Sequence, residues 1–283
     1  MVLYSIQFHP FVLTISWLTK VSLDSVLLRC AMNLQDFFLN HPKVAIAFSG
    51  GVDSVYLLYA AKKYAEDVCA YYVKTAFQPQ FELDDARCAA SELDAKMKII
   101  ELDILSVEDV VLNPWNRCYF CKKQIFSNIM QKAVEDGYEV LLDGTNASDD
   151  IGDRPGFLAL QELKVLSPLR MCELTKAEIR RLSKEAGLFT WNKPAYACLA
   201  TRIPTGQTIH GDLLQRTEWA ENFLLSKGFT DFRVRCVEDG AKIQIIKEQL
   251  PLFIQLREEI VKELKKQYKT VCLDLEMRNE NGN

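Results

Sequence analysis

The most constraining feature is the run VAIAFSGGVDSVYLLYAAKKY (Val44–Tyr64). Val44–Phe48 is a short, wholly apolar stretch of the kind that forms a buried strand. Asp53–Tyr64 then carries apolar residues at helical spacing. Only Ser49-Gly50-Gly51-Val52 separates the two, so the chain must leave a strand and enter a helix through a glycine turn. Such a turn binds anions. Glycine lets the backbone approach an oxyanion closely, successive N–H groups point inward, and the helix N-terminus adds partial positive charge. Ser49 and Ser54 can donate hydroxyl hydrogen bonds, and Asp53 can hold a magnesium ion against phosphate oxygens. No Lys-Ser or Lys-Thr follows the glycines, so this is not a Walker A loop, and it does not match GxGxxG.

The same alternation continues. Val68–Phe77 reads as a second strand, Glu82–Met97 as a helix and Met97–Ile104 as a third strand. Cys121–Asp136 reads as a helix closed by Gly137, and Glu139–Asn146 as a fourth strand running into a turn. Thr175 with Glu178 three residues on forms a capping box for a helix that Gly187 ends. Strands separated by helices predict an α/β fold, a Rossmann-like doubly wound parallel sheet. After Ala200 the texture changes. Asp212–Lys227 is an amphipathic helix, Phe232–Ile246 two strands around Glu238-Asp239-Gly240, Leu250–Tyr268 a helix and Lys269–Glu276 a last strand. The expected organisation is residues 1–31 as an N-terminal extension, either upstream of a start at Met32 or an extra helix packed on the domain, 32–200 as the nucleotide-binding domain and 201–283 as a smaller α+β domain. No internal repeat is present.

Nine cysteines in 283 residues are odd in number and irregularly spaced, which suits reduced thiols in a cytoplasmic protein better than a secreted disulfide framework. Cys118-Tyr-Phe-Cys121 is a CxxC just before a helix, and Cys198 lies in KPAYACLATR. A CxxC alone fits a redox disulfide, half of a zinc site or part of an iron–sulfur site. Structural zinc takes four ligands, and a second pair is missing. Three thiolates suit a four-iron cluster with one iron left open to an exogenous group such as sulfide. Cys69, Cys236 and Cys272 in strand patterns and Cys88 in a helix read as ordinary apolar residues, whereas Cys30 and Cys172 carry no clear reading. His9, His41 and His210 are too sparse for histidine-based catalysis.

SGGVDS resembles the pyrophosphate loop of the adenine nucleotide alpha-hydrolase group, and Asp143-Gly144-Thr145-Asn146 resembles that group's second nucleotide-facing turn. Taken with NRCYFCKK, DGTNASDDIGDRPG, LTKAEIRRL and WNKPAYACLATRIPTG in one order, the chain resembles the LarE family of ATP-dependent sulfur transferases over about Met32–Glu276. The resemblance implies ATP cleaved between its α and β phosphates, with AMP transferred to a carboxylate of pyridinium biscarboxylate mononucleotide. Sulfur then replaces AMP, on the way to the nickel-pincer nucleotide of lactate racemase. It implies ATP contacts from Ser49, Gly50, Gly51, Asp53, Ser54 and Gly144, with magnesium at Asp53. It implies a [4Fe-4S] cluster on Cys118, Cys121 and Cys198, because all three positions of the cluster-bearing branch hold cysteine.

Planar guanidinium forks suit the substrate phosphate, and Arg154, Arg202, Arg233 and Arg235 are the expected contacts, the last two on one face of a strand. Glu221 and Asp274 match acidic positions of the family that could hold a metal or orient the arginines. Lys122 and Lys123 could touch phosphate or form a solvated first turn. Expected partners are a small nucleotide, sulfide or a sulfur donor, and further copies of the chain, with no membrane. A net charge of −4 weighs against nucleic acid. It also weighs against the rival reading, a tRNA thiolase with a three-cysteine cluster, which would show a basic face or an added zinc-binding pair.

Overall fold

The computed structural model describes residues 32–150, 152 and 155–278. The expected N-terminal extension, Cys30 and Arg154 lie outside the described residues. The chain enters through helix α1 (Leu34–Asn40), whose N-cap Asn33 accepts from the Asp36 amide. It continues through β1 (Lys43–Ala47), α2 (Val52–Tyr64), β2 (Asp67–Lys74), α3 (Gln80–Glu92) and β3 (Lys96–Glu101). Short α4 (Glu108–Val111) leads to α5 (Arg117–Glu135) and β4 (Leu141–Leu142). Helices α6 (Pro155–Glu162), α7 (Pro168–Met171) and α8 (Lys176–Glu185) follow.

Strands β1 to β4 form one parallel sheet in the order β3-β2-β1-β4, the doubly wound α/β architecture that the alternating pattern predicts. Side chains alternate across it. Val44, Ile46, Ala70 and Tyr72 pack with α1, α2 and α3 on one face, and Ala45, Cys69, Tyr71 and Val73 pack with α5 and Leu160 of α6 on the other. Burial on both faces explains why β1 and β2 read as continuous apolar runs rather than as polar–apolar alternation.

The second half holds α9 (Gly211–Ser226), β5 (Arg233–Val237), β6 (Gly240–Gln244), α10 (Leu250–Leu264) and β7 (Thr270–Leu273). These strands form a separate mixed sheet, β5 antiparallel to β6 and β6 parallel to β7, with its own core of Leu224, Phe229, Val234, Ile243 and Ile260. A further cluster, including Phe77, Ile104, Leu199, Ile203, Leu214 and Cys236, lies between the two sheets. Among the described residues no helix is long and apolar enough to cross a membrane.

Several elements differ in their bounds from the sequence reading, three of them as follows. The fourth strand is only Leu141–Leu142, because the following polar side chains form turns instead: Asp143 accepts from Thr145, and Asn146 from the Ser148 amide. The helix expected over Glu82–Met97 ends at Glu92, where Asp94 takes a left-handed conformation (φ 46°). The helix expected from Cys121 begins at Arg117, which places both cysteines of the CxxC in its first two turns.

Candidate functional site

In the order β3-β2-β1-β4 the direction of winding reverses between β1 and β4, and ligands of open parallel sheets bind outside the strand ends at that point. Two turns meet there. Gly50 has φ +72°, and a Cβ on it would lie 2.9 Å from Ala86 Cα, so α3 packs directly on the loop and only glycine fits. Ser54 Oγ donates to the Gly51 carbonyl at 3.1 Å and lies 3.1 Å from Ser49 Oγ. Gly51 caps α2 without a side-chain hydrogen bond, which leaves the helix N–H groups for a ligand. A Cβ on Gly144 would sit 3.2 Å from the Ser54 amide nitrogen and 3.3 Å from Asp53 Cβ, so the second turn lies against the first.

Asp53 is held by Lys176, whose Nζ is 2.6 Å from Oδ2. The other oxygen, Oδ1, is buried and has no partner among the described residues. Burial pushes the Asp53 carboxyl above its usual range, against the lowering effect of Lys176. A buried carboxylate oxygen with a spare lone pair, beside a phosphate loop, fits a magnesium ligand in kind. Lys176 was not singled out from the sequence. It is the first residue of α8, directly after the capping Thr175, where a lysine reads as a solvated first turn.

A cleft of about 390 Å³ runs from this loop to Cys198, walled by Tyr72, Glu82, Lys193 and Tyr196. Lys193 forms an ion pair with Asp85 at 2.6 Å. At the far end Cys121 and Cys198 pack against one apolar cluster, and Cys118 stands exposed in the first turn of α5. Arg117 ties this end together. Its Nη1 donates to Ala200 O at 2.8 Å and to Asn113 Oδ1 at 3.0 Å, and its Nη2 lies 3.8 Å from Cys118 Sγ. Asn113, buried and left-handed (φ 52°), donates in turn to Pro204 O at 2.8 Å. Burial pushes the Cys121 thiol up to about 12 and the Cys198 thiol in the same direction, with the Arg117 charge opposing both. The three thiols therefore share one electrostatic neighbourhood. Among the described residues, no three His, Cys, Asp or Glu side chains converge closely enough to hold a metal ion.

The arginines are less available than their sequence suggests. Arg202 is 1% exposed and makes a two-point pair with Glu221, Nε to Oε1 at 2.7 Å and Nη2 to Oε2 at 3.2 Å. Glu221 also accepts from Tyr196 Oη at 2.6 Å and from the Val234 amide at 2.9 Å. Arg202 and Glu221, expected at the substrate phosphate and at a metal, are paired with each other in this structure. Arg233 is buried, donates to Ala195 O at 2.8 Å, and shares the Tyr196 ring with Arg202, their guanidinium carbons lying 5.2 and 4.8 Å from its centroid. Arg235 is only partly buried and donates to Thr201 O at 2.8 Å. Asp274 pairs with Lys242 at 2.9 Å and accepts from Gln244, which also accepts from Arg235, so it orients that arginine through one intermediary. Lys123 is engaged by Glu162 at 2.9 Å.

Comparison with known proteins agrees with this geometry. Residues 26–169 match the model of the PP-loop domain. The chain is 35% identical over 228 residues to an uncharacterized protein of Synechocystis, covering 79% of this chain and 84% of that protein. It is 31% identical over 236 residues to the pyridinium-3,5-bisthiocarboxylic acid mononucleotide synthase of Lactiplantibacillus plantarum, covering 82% and 86%. It is also 29% identical over 188 residues to a tRNA-specific 2-thiouridylase of Pseudothermotoga lettingae, covering 53% and 54%.

Proposed function

The chain belongs to the PP-loop family and, within it, to the group of the Lactiplantibacillus synthase, the LarE family, and on that premise we propose that it is an AMP-forming sulfurtransferase acting on a pyridinium carboxylate mononucleotide. The observation that carries the reading is the single cleft joining the glycine loop to Cys198. One end has helix N–H groups free to receive phosphates, and the other gathers thiols. An acyl adenylate formed at the first end is in reach of a sulfur nucleophile at the second.

In the first half-reaction the substrate carboxylate attacks the α-phosphorus of ATP, and pyrophosphate leaves toward the amides of the Ser49–Ser54 loop. Lys176, at the start of α8, offers its charge to the departing oxygens, and magnesium on Asp53 Oδ1 would neutralise them further. In the second, a sulfur nucleophile attacks the activated carbonyl and AMP departs, a far better leaving group than oxide. A [4Fe-4S] cluster on Cys118, Cys121 and Cys198, which would supply an open iron for the sulfide to be transferred, would need these three side chains to draw closer together than they stand here. Arg117 offsets negative charge on these sulfurs, while Arg235, with Arg233 behind it, presents a guanidinium to the substrate phosphate.

A tRNA thiolase is the second reading, favoured by the similarity to the tRNA-specific 2-thiouridylase. The two separate in one experiment. Under anaerobic conditions with ATP and sulfide, the sulfurtransferase reading expects AMP, pyrophosphate and exchange of one oxygen for sulfur only when the pyridinium carboxylate is added. The tRNA reading expects AMP release to depend on tRNA.

A further inference from the structure

The two half-reactions differ in their protons. Adenylation of a carboxylate releases none, because an ionised oxygen attacks. Transfer from hydrosulfide releases one: the S–H bond breaks, a C–S bond forms, and the C–O bond to AMP breaks with its electron pair on the AMP phosphate. The product is an ionised thiocarboxylate, so the proton needs an acceptor in the cleft.

Among the described residues the cleft wall contains two carboxylates, Asp53 and Glu82. Asp53 belongs to the phosphate loop and is held by Lys176. Among the described residues no histidine lines the cleft, and the amines of Lys176 and Lys193 are committed to Asp53 and Asp85. Burial drives the Tyr72 hydroxyl far above its ordinary range, so it keeps its proton. Glu82, in the first turn of α3, faces the same space as Cys198, and among the described residues its carboxylate has no hydrogen-bonding partner.

We propose that Glu82 is the proton acceptor of the sulfur-transfer half-reaction, taking the proton that hydrosulfide loses as it attacks the acyl adenylate. The inference rests on the sulfurtransferase reading above. The charged and titratable groups around Glu82 come from every neighbouring element: Tyr72 and Lys74 from β2, Asp85 from α3, Lys193 and Tyr196 from the segment after α8, and Arg202 beyond Cys198. Burial pushes the Glu82 carboxyl up to about 7, Lys193 opposes this, and Asp85 reinforces it. A base in that range is matched to proton transfer near neutrality. An ordinary surface glutamate would be too weak a base for the task.

The test separates the half-reactions in wild type, Glu82→Gln and Glu82→Asp. ATP–pyrophosphate exchange with the mononucleotide substrate reads adenylation, and a single turnover with sulfide reads transfer, each followed across pH on both sides of neutrality with total sulfide adjusted so that the hydrosulfide concentration stays constant. In wild type the transfer rate should rise through an ionisation near pH 7. In Glu82→Gln that ionisation should vanish, and transfer should fall about 100-fold more than exchange does. Glu82→Asp should keep the ionisation with slower transfer. An ionisation that persists in Glu82→Gln, or equal losses in both half-reactions, overturns the assignment. Wild-type protein that shows no substrate-dependent exchange overturns the sulfurtransferase reading itself.

Discussion

The guanidinium of Arg117 donates to the carbonyl of Ala200 at 2.8 Å, joining the helix that carries Cys118 and Cys121 to the segment that carries Cys198. The side chain is buried, and its second bond, to Asn113 Oδ1, extends the junction to Pro204. Arg117→Met removes the charge and leaves two buried acceptors unpaired. We expect a loss of about 2–3 kcal/mol in urea unfolding with an unchanged slope, partly recovered in Arg117→Lys.

Gly50 and Gly187 have almost the same backbone conformation, φ +72° and +73°, but different surroundings. A Cβ on Gly50 meets the α3 backbone, whereas one on Gly187 meets nothing within 4 Å. Gly187→Ala should cost about 1 kcal/mol of stability and leave ATP affinity unchanged. Gly50→Ala should weaken ATP binding at least ~10-fold by titration calorimetry, because the loop must shift away from α3.

The Arg202–Glu221 pair is fully buried. Glu221→Gln leaves an uncompensated guanidinium and should cost about 3–5 kcal/mol in denaturant unfolding. The double variant Arg202→Met, Glu221→Leu should be less destabilised than that single change. If Glu221→Gln has no effect on stability, the pair is not the anchor described here.

Glu82 also links stability to pH. Its folded carboxyl is raised from 4.5 to about 7, so the folded state binds its proton more tightly than the unfolded state does. That contribution is present in full below pH 4.5 and is lost as pH rises through about 7. Relative to wild type, Glu82→Gln should therefore gain stability progressively over this window and level off above it. Urea midpoints measured at several pH values check the trend, and an advantage that shrinks with rising pH contradicts it.

The glycine loop was legible in the sequence because everything that defines it is local: an apolar run, two glycines and a helical period within Val44–Tyr64. The shared neighbourhood of the Cys118, Cys121 and Cys198 thiols was legible only through family resemblance, since nothing in their spacing brings Cys198 to the start of α5. Arg202 shows the opposite case. Its guanidinium is plain in sequence, but its partner Glu221 lies nineteen residues away on another helix, and only the tertiary fold pairs them. Lys176 and Glu82 were missed because each occupies the first turn of a helix, where charge is common and carries no message until the cleft is seen.

The central claim is that ATP activation and sulfur delivery share one cleft ending at Cys198. Its most direct test compares wild type with Cys198→Ala, purified without air, in substrate-dependent ATP–pyrophosphate exchange and in sulfur incorporation from sulfide. The account predicts that the variant still exchanges pyrophosphate but incorporates no sulfur. Sulfur incorporation at the wild-type rate without Cys198 would contradict it.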